Sequence, residues 1–225
     1  MTRTTNARVA GFTFLFYIAV GVAGVFLFGR AVAGDGTTEK LASVAQHVTE
    51  VRVTVLLVLL QSFSALVLAA TLYALTRDED RDLAMFGLTC RVAEGITGVF
   101  VTRSLGLVWL ATAAGQDAAE AESARVLGAF LLKMGAWNPG AIFFAVGSAV
   151  FSWLFLRGRM IPAALAWLGV LSSVLLVIVL PLQLTGLLGG PVTQFVWVPM
   201  LMFEVGIALW LLVKGVAAPR SEQPS

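Results

Sequence analysis

The chain has 225 residues, 59% of them hydrophobic and only 12% charged, against about 45–50% and about 25% in soluble globular proteins. Fifteen basic against thirteen acidic groups leave a net charge of +2, too small to recruit nucleic acid. One cysteine (Cys90) and one histidine (His47) exclude a disulfide framework, a multi-cysteine zinc or iron–sulfur site and a bis-histidine haem.

So few charges cannot cover so much apolar surface in water, which makes lipid the expected solvent. Backbone in a hydrocarbon layer must be helical or a closed barrel, and a layer of about 30 Å needs roughly 20 apolar residues per helix. The apolar runs are continuous and do not alternate, which predicts an all-α integral membrane protein, a six-transmembrane-helix bundle. Residues 1–8 form its N-terminal segment. The spans fall at about 9–29, 53–75, 83–112, 139–156, 163–188 and 195–213 in a single domain over 9–216, followed by a polar, disordered tail over 217–225.

In chain order, the first run follows Arg3 and Arg8 and precedes Ala31-Val32-Ala33, which has the look of a secretory signal. Its apolar stretch exceeds the roughly 7–15 residues of a signal core, so it is read as a retained span. The connection Arg30–Arg52 contains Leu41, Val44, Ala45, Val48 and Val51 at helical spacing. It predicts a short amphipathic helix capped by Thr37 or Thr38, with Glu39 near its positive end. His47 falls on the flank of that stripe and is read as a surface residue. The charged turn Arg77–Asp82 is read as solvated backbone.

The third run carries Arg91 and Glu94, opposite charges three residues apart on one helical face. Gly87, Gly98 and Thr102 share that face, and its glycines let a neighbouring helix come close. The face is expected to point into the bundle. An unpaired charge at the centre of a membrane helix costs roughly 2.5–3.5 kcal/mol. Arg103 lies on another face, nearer the outer end, where it can snorkel.

The fourth apolar region is too long for one straight span. Asn138 is a good N-cap and Pro139 suits the first helical position, so a break is expected there, with 123–136 as a separate or kinked helix. Glu204 sits near the middle of the sixth run with no basic residue nearby on its own helix. Either its partner comes from another span, with Arg91 and Arg103 the available candidates, or it carries a proton because burial disfavours the charged carboxyl. Trp109, Trp137, Trp153, Trp167, Trp197 and Trp210 lie mostly towards span ends, as an aromatic belt does.

No Walker loop, dinucleotide glycine motif, nucleophile elbow or HExxH occurs. No catalytic residue, metal ligand or cofactor is therefore assigned, and a non-enzymatic protein is expected. Basic residues at the span ends divide eight (Arg3, Arg8, Arg77, Arg81, Arg157, Arg159, Lys214, Arg220) against four (Arg30, Lys40, Arg52, Arg125), which places both termini in the cytoplasm of a cell-membrane protein.

Four groups of residues stand in order: Arg8-Val9-Ala10-Gly11; Arg91-x-x-Glu94; Arg157-Gly158-Arg159-Met160-Ile161-Pro162 with Leu168-Gly169; and Glu204 with Leu209-Trp210-Leu211-Leu212-Val213-Lys214-Gly215. Together they resemble the bacterial domain of unknown function 4386 family, small polytopic membrane proteins, over most of residues 8–216. The resemblance implies six spans and points to Arg91, Glu94, Glu204 and the Arg157–Pro162 turn. Asn138, Pro139 and Arg103 are not positions that match the family pattern.

Two functions fit these residues. One is a bundle that binds or transports a small molecule, an ion or a proton through Arg91, Glu94 and Glu204, with Arg103 as a further member. The other is a non-catalytic structural or regulatory membrane component whose buried charges only lock the helices. Membrane lipids are the expected partners in either case, and a second copy or another protein remains open.

Overall fold

A computed structural model describes residues 2–97, 101–113, 118–134, 138–190 and 192–217. Gly98, Trp137, residues 114–117 of the acidic connection and the tail from 218 lie outside the described residues, as does the Thr102 side chain. The described residues form helices and no strands: α1 (Arg3–Ala31), α2 (Thr37–Gln46), α3 (Val48–Thr76), α4 (Arg81–Thr97), α5 (Val101–Ala113), α6 (Ala118–Met134), α7 (Pro139–Arg157), α8 (Ala163–Leu184), α9 (Val192–Phe195) and α10 (Trp197–Val213). By length and composition, α1, α3, α8 and the Glu120–Arg157 stretch that holds α6 and α7 are long and apolar enough to cross a membrane. The apolar α10 is shorter, with 17 residues.

Several boundaries differ from those read in the sequence. Within the run at 83–112 the described residues form α4 and α5, of 17 and 13 residues, and residues 98–100 between them lie outside the described residues. The fifth run ends at Leu184 and not at 188, because Gly186 takes up a left-handed φ of +77° just beyond the C-cap Thr185 and donates its N–H to Gln183 O. A β-carbon would be strained there, whereas glycine closes the helix at little cost. The amphipathic helix is present as α2, but its N-cap is Gly36 and neither Thr37 nor Thr38. Glu39, the third residue of the helix, does the work expected of a threonine: its Oε2 accepts from Asp35 N at 2.9 Å. A reaching-back carboxylate at that position satisfies the chain entering the helix and suits the positive end of the dipole.

The chain divides into two compact units. One comprises Met1–Tyr17, Ser62–Thr97 and Pro139–Ser225. Its core joins Phe14, Leu68, Leu72, Phe144, Phe151, Phe155 and Phe203, with α4 packed on α7, α7 on α8 and α8 on α10. The outward faces of these helices are apolar too. Trp167, Leu171, Val174 and Ile178 of α8 are exposed, as are Leu201, Met202, Leu209 and Val213 of α10. Helices apolar on every side suit lipid, since water would penalise the outer stripe.

The second unit comprises Ile18–Gln61 and Gly98–Asn138. Ala31, Val44, Val51, Leu107 and Val108 form its core, and α2 lies against α5 and α6. His47 closes α2, with Nδ1 2.9 Å from Ser43 O.

Candidate functional site

The polar residues inside the first unit follow from helical periodicity. On α4 the buried residues are Ala84, Gly87, Cys90, Arg91, Glu94 and Gly95, an i, i+3, i+4, i+7 stripe, while Met85, Phe86 and Ile96 are exposed. The charged pair is thus inside and the apolar side chains outside, the reverse of a helix in water. On α10 the buried stripe is Met200, Phe203, Glu204, Ile207, Ala208 and Leu211. It holds Glu204 at the eighth of seventeen positions, counting from Trp197 to Val213.

Arg91 is 1% exposed and Glu94 and Glu204 are each 6% exposed. Arg91 Nη1 lies 2.9 Å from Glu94 Oε2, an ion pair whose N–H directions miss hydrogen-bond alignment. The guanidinium carbon also stands 4.9 Å from the Phe144 ring centre and 5.9 Å from that of Tyr17, within the range of cation–π attraction. Gly147 of α7 makes this fit: a β-carbon there would stand 3.1 Å from both Cγ and Cδ of Arg91. Gly87 likewise admits α7, whose Phe151 and Val150 cover it.

Tyr17 is the residue the sequence reading missed. Its hydroxyl donates to Glu94 Oε1 at 2.8 Å, so Glu94 is served by a phenol on one oxygen and a guanidinium on the other. A signal was present, because Tyr17 is the fifteenth of the twenty-nine residues of α1, counting from Arg3 to Ala31. Tyrosine in a spanning helix is ordinarily found at its ends.

Glu204 lies close enough to Arg91 and Glu94 for both charges to act on it, but the close ion pair of the site is Arg91–Glu94. The buried Oε1 of Glu204 has no hydrogen-bond partner among the described residues.

Arg103 has surroundings of its own. Its Nε donates to Leu131 O at 3.0 Å and its guanidinium carbon stands 4.5 Å from the Phe28 ring centre. Arg103, which the sequence offered to Glu204 or to snorkelling, donates here to a backbone carbonyl.

Pro139 is the first residue of α7, α6 ends at Met134, and Asn138 precedes α7 as an exposed, non-helical residue. The charged turn, read as solvated backbone, is tied down. Arg157 at the end of α7 pairs with Glu79 through Nε at 3.2 Å and with Asp80 through Nη1 at 3.0 Å. Asp80 also caps α4, its Oδ1 accepting from Leu83 N at 3.1 Å. That backbone donor first, and the Arg157 guanidinium second, hold the Asp80 carboxyl below the ordinary carboxylate range. In the Arg157–Pro162 turn, Arg159 adopts a φ of +50°, and Met160 O accepts from Ala217 N at 3.0 Å.

The pattern of a known family, described as domain of unknown function (DUF4386), matches residues 9–215. The chain belongs to the DUF4386 family. No curated protein and no solved structure matches it. The DUF4386 match spans every residue of the buried cluster, Tyr17, Arg91, Glu94 and Glu204, and the Arg157–Pro162 turn.

Proposed function

We propose that this DUF4386 protein is a six-span protein of the cell membrane with both termini cytoplasmic, and that its buried cluster holds one exchangeable proton. The six spans would be α1, α3, α4 with α5, α7, α8 and α10. The orientation rests on the eight-to-four division of basic residues. Reporter fusions after Gln223 and after Gln116 should give cytoplasmic and external signals respectively, and the reverse pattern would overturn it.

The observation that carries the proton reading is a charge count. One guanidinium and two carboxylates share the interior, which leaves one negative charge in excess unless a proton joins them. An uncompensated charge in hydrocarbon is costly enough that the proton is the cheaper state. Glu94 already accepts from Tyr17 and faces Arg91, while Glu204 Oε1 has no such donor, so the proton is assigned to Glu204. A metabolite is a poor fit, because the cavity beside Arg91 measures only about 10 Å³. A proton needs no such room.

Infrared titration of the protein in nanodiscs tests this. One protonated-carboxyl band should respond to pH, vanish in Glu204→Gln and persist in Glu94→Gln. If no carboxyl band titrates, the second reading stands: the direct Arg91–Glu94 contact then serves only to lock α4 within the bundle.

A further inference from the structure

We propose that the small cavity against α4, α7 and α10 is a binding site for a single water molecule, held between Arg91 and Ser152. Its walls include Arg91, Ser148 and Ser152 among the rings of Phe151, Phe155 and Phe203. Arg91 and Ser152 are each 1% exposed. Nε and Nη2 of Arg91 and Oγ of Ser152 have no hydrogen-bond partner among the described residues. Buried polar atoms of this kind are costly to leave unsatisfied, so two such side chains on one cavity call for a shared occupant.

Size and charge choose that occupant. The cavity measures about 10 Å³, and one water requires about 10–15 Å³ with two to four polar partners. Three polar side chains are on the wall. An anion would be drawn to the guanidinium, but Glu94 already answers that charge at 2.9 Å and Glu204 adds a second carboxylate nearby. A halide would therefore leave a net negative charge in the interior. A metal cation would meet Arg91 and hydroxyls, with no carboxylate on the wall to hold it. Water is neutral, accepts from Arg91 and donates to Ser152, and so links α4 to α7. This site is independent of whether the cluster exchanges a proton.

The test is nuclear magnetic resonance on protein labelled with ¹⁵N-arginine in nanodiscs, the Arg91 Nε–H signal being identified by its loss in Arg91→Lys. A through-space cross-peak from Arg91 Nε–H to a long-lived water is expected in the wild type. Its absence overturns the proposal without any variant being needed. Ser152→Val fills the cavity with methyl groups and should abolish the cross-peak while the other arginine signals stay in place. Persistence of the peak in a folded Ser152→Val protein would place the water elsewhere and overturn the site. Exchange of chloride for gluconate should leave the Arg91 Nε–H shift unchanged; a shift that follows halide concentration would make the occupant an anion and overturn the assignment to water.

Discussion

The Tyr17 hydroxyl and the Glu94 carboxylate, 77 residues apart in sequence, meet at 2.8 Å inside the first unit. That contact turns an i, i+3 ion pair within one helix into a link between α1 and α4. Arg91 is thereby held on three sides, by the Glu94 carboxylate and by the rings of Tyr17 and Phe144.

Tyr17→Phe keeps the ring against Arg91 and removes only the hydroxyl. Hydrogen bonds to charged groups contribute about 1.5–3 kcal/mol in water-soluble proteins, but side-chain bonds inside membrane proteins average about 0.6 kcal/mol and reach about 1.7. The expected loss is therefore about 1 kcal/mol, read as unfolding free energy in mixed micelles. No loss would mean that the phenol contributes packing alone.

How much of this cluster was legible depended on distance along the chain. Arg91 and Glu94 were readable because their spacing alone places them on one face, and the exposed Met85, Phe86 and Ile96 complete the same periodicity. Glu204 was readable because a carboxylate in mid-run has few places to go. Tyr17 was not, since nothing local connects it to α4. The Arg157 contacts with Glu79 and Asp80 were hidden for a different reason: six consecutive charges satisfy the pattern of a solvated turn whether or not a distant arginine joins them. The acceptor of Arg103 was not legible because a backbone carbonyl is invisible in side-chain composition.

Gly169 shows where packing outweighs helix propensity. A β-carbon there would lie 2.5 Å from both Ser152 Oγ and Phe203 Cε2, so Gly169→Ala forces α8 away from α7 and α10. Overpacking costs about 1–3 kcal/mol, more than the roughly 0.8–1 kcal/mol that alanine gains over glycine in a helix. Gly24→Ala is the control, because its nearest neighbour would be Leu57 Cβ at 3.9 Å, an ordinary contact. Thermal unfolding in detergent should fall for Gly169→Ala and hold or rise for Gly24→Ala. Equal responses would mean that α8 adjusts freely.

The Asp80 carboxyl predicts an acid limb in stability. Its titration is depressed in the folded state by the Leu83 N–H and then by Arg157. A depressed carboxylate contributes stability that is complete above its ordinary value of 3.8 and is lost as pH falls through the folded value. Asp80→Asn keeps a competent N-cap but has no charge to titrate. Its unfolding midpoint should fall less steeply than the wild type between pH 5 and the acid limit. Parallel acid limbs would show that the cap, and not the charge, carries the contact with Arg157.

The charge count also orders a mutant series on Arg91 and Glu204. Arg91→Leu leaves the two buried carboxyl side chains without their cation, and losing one member of a buried pair typically costs about 3–5 kcal/mol. Glu204→Leu leaves Arg91 and Glu94 as a neutral pair with an apolar neighbour in place of the protonated carboxyl, so its cost should be small. The double variant retains Glu94 with its Tyr17 donor and has lost the second carboxylate, so it should be more stable than Arg91→Leu alone. A double-mutant cycle read by unfolding in mixed micelles then gives a coupling energy well outside the roughly 0.3–0.5 kcal/mol within which independent sites add. Strict additivity would mean that Glu204 does not sense Arg91, and with it would go the assignment of the shared proton to this cluster.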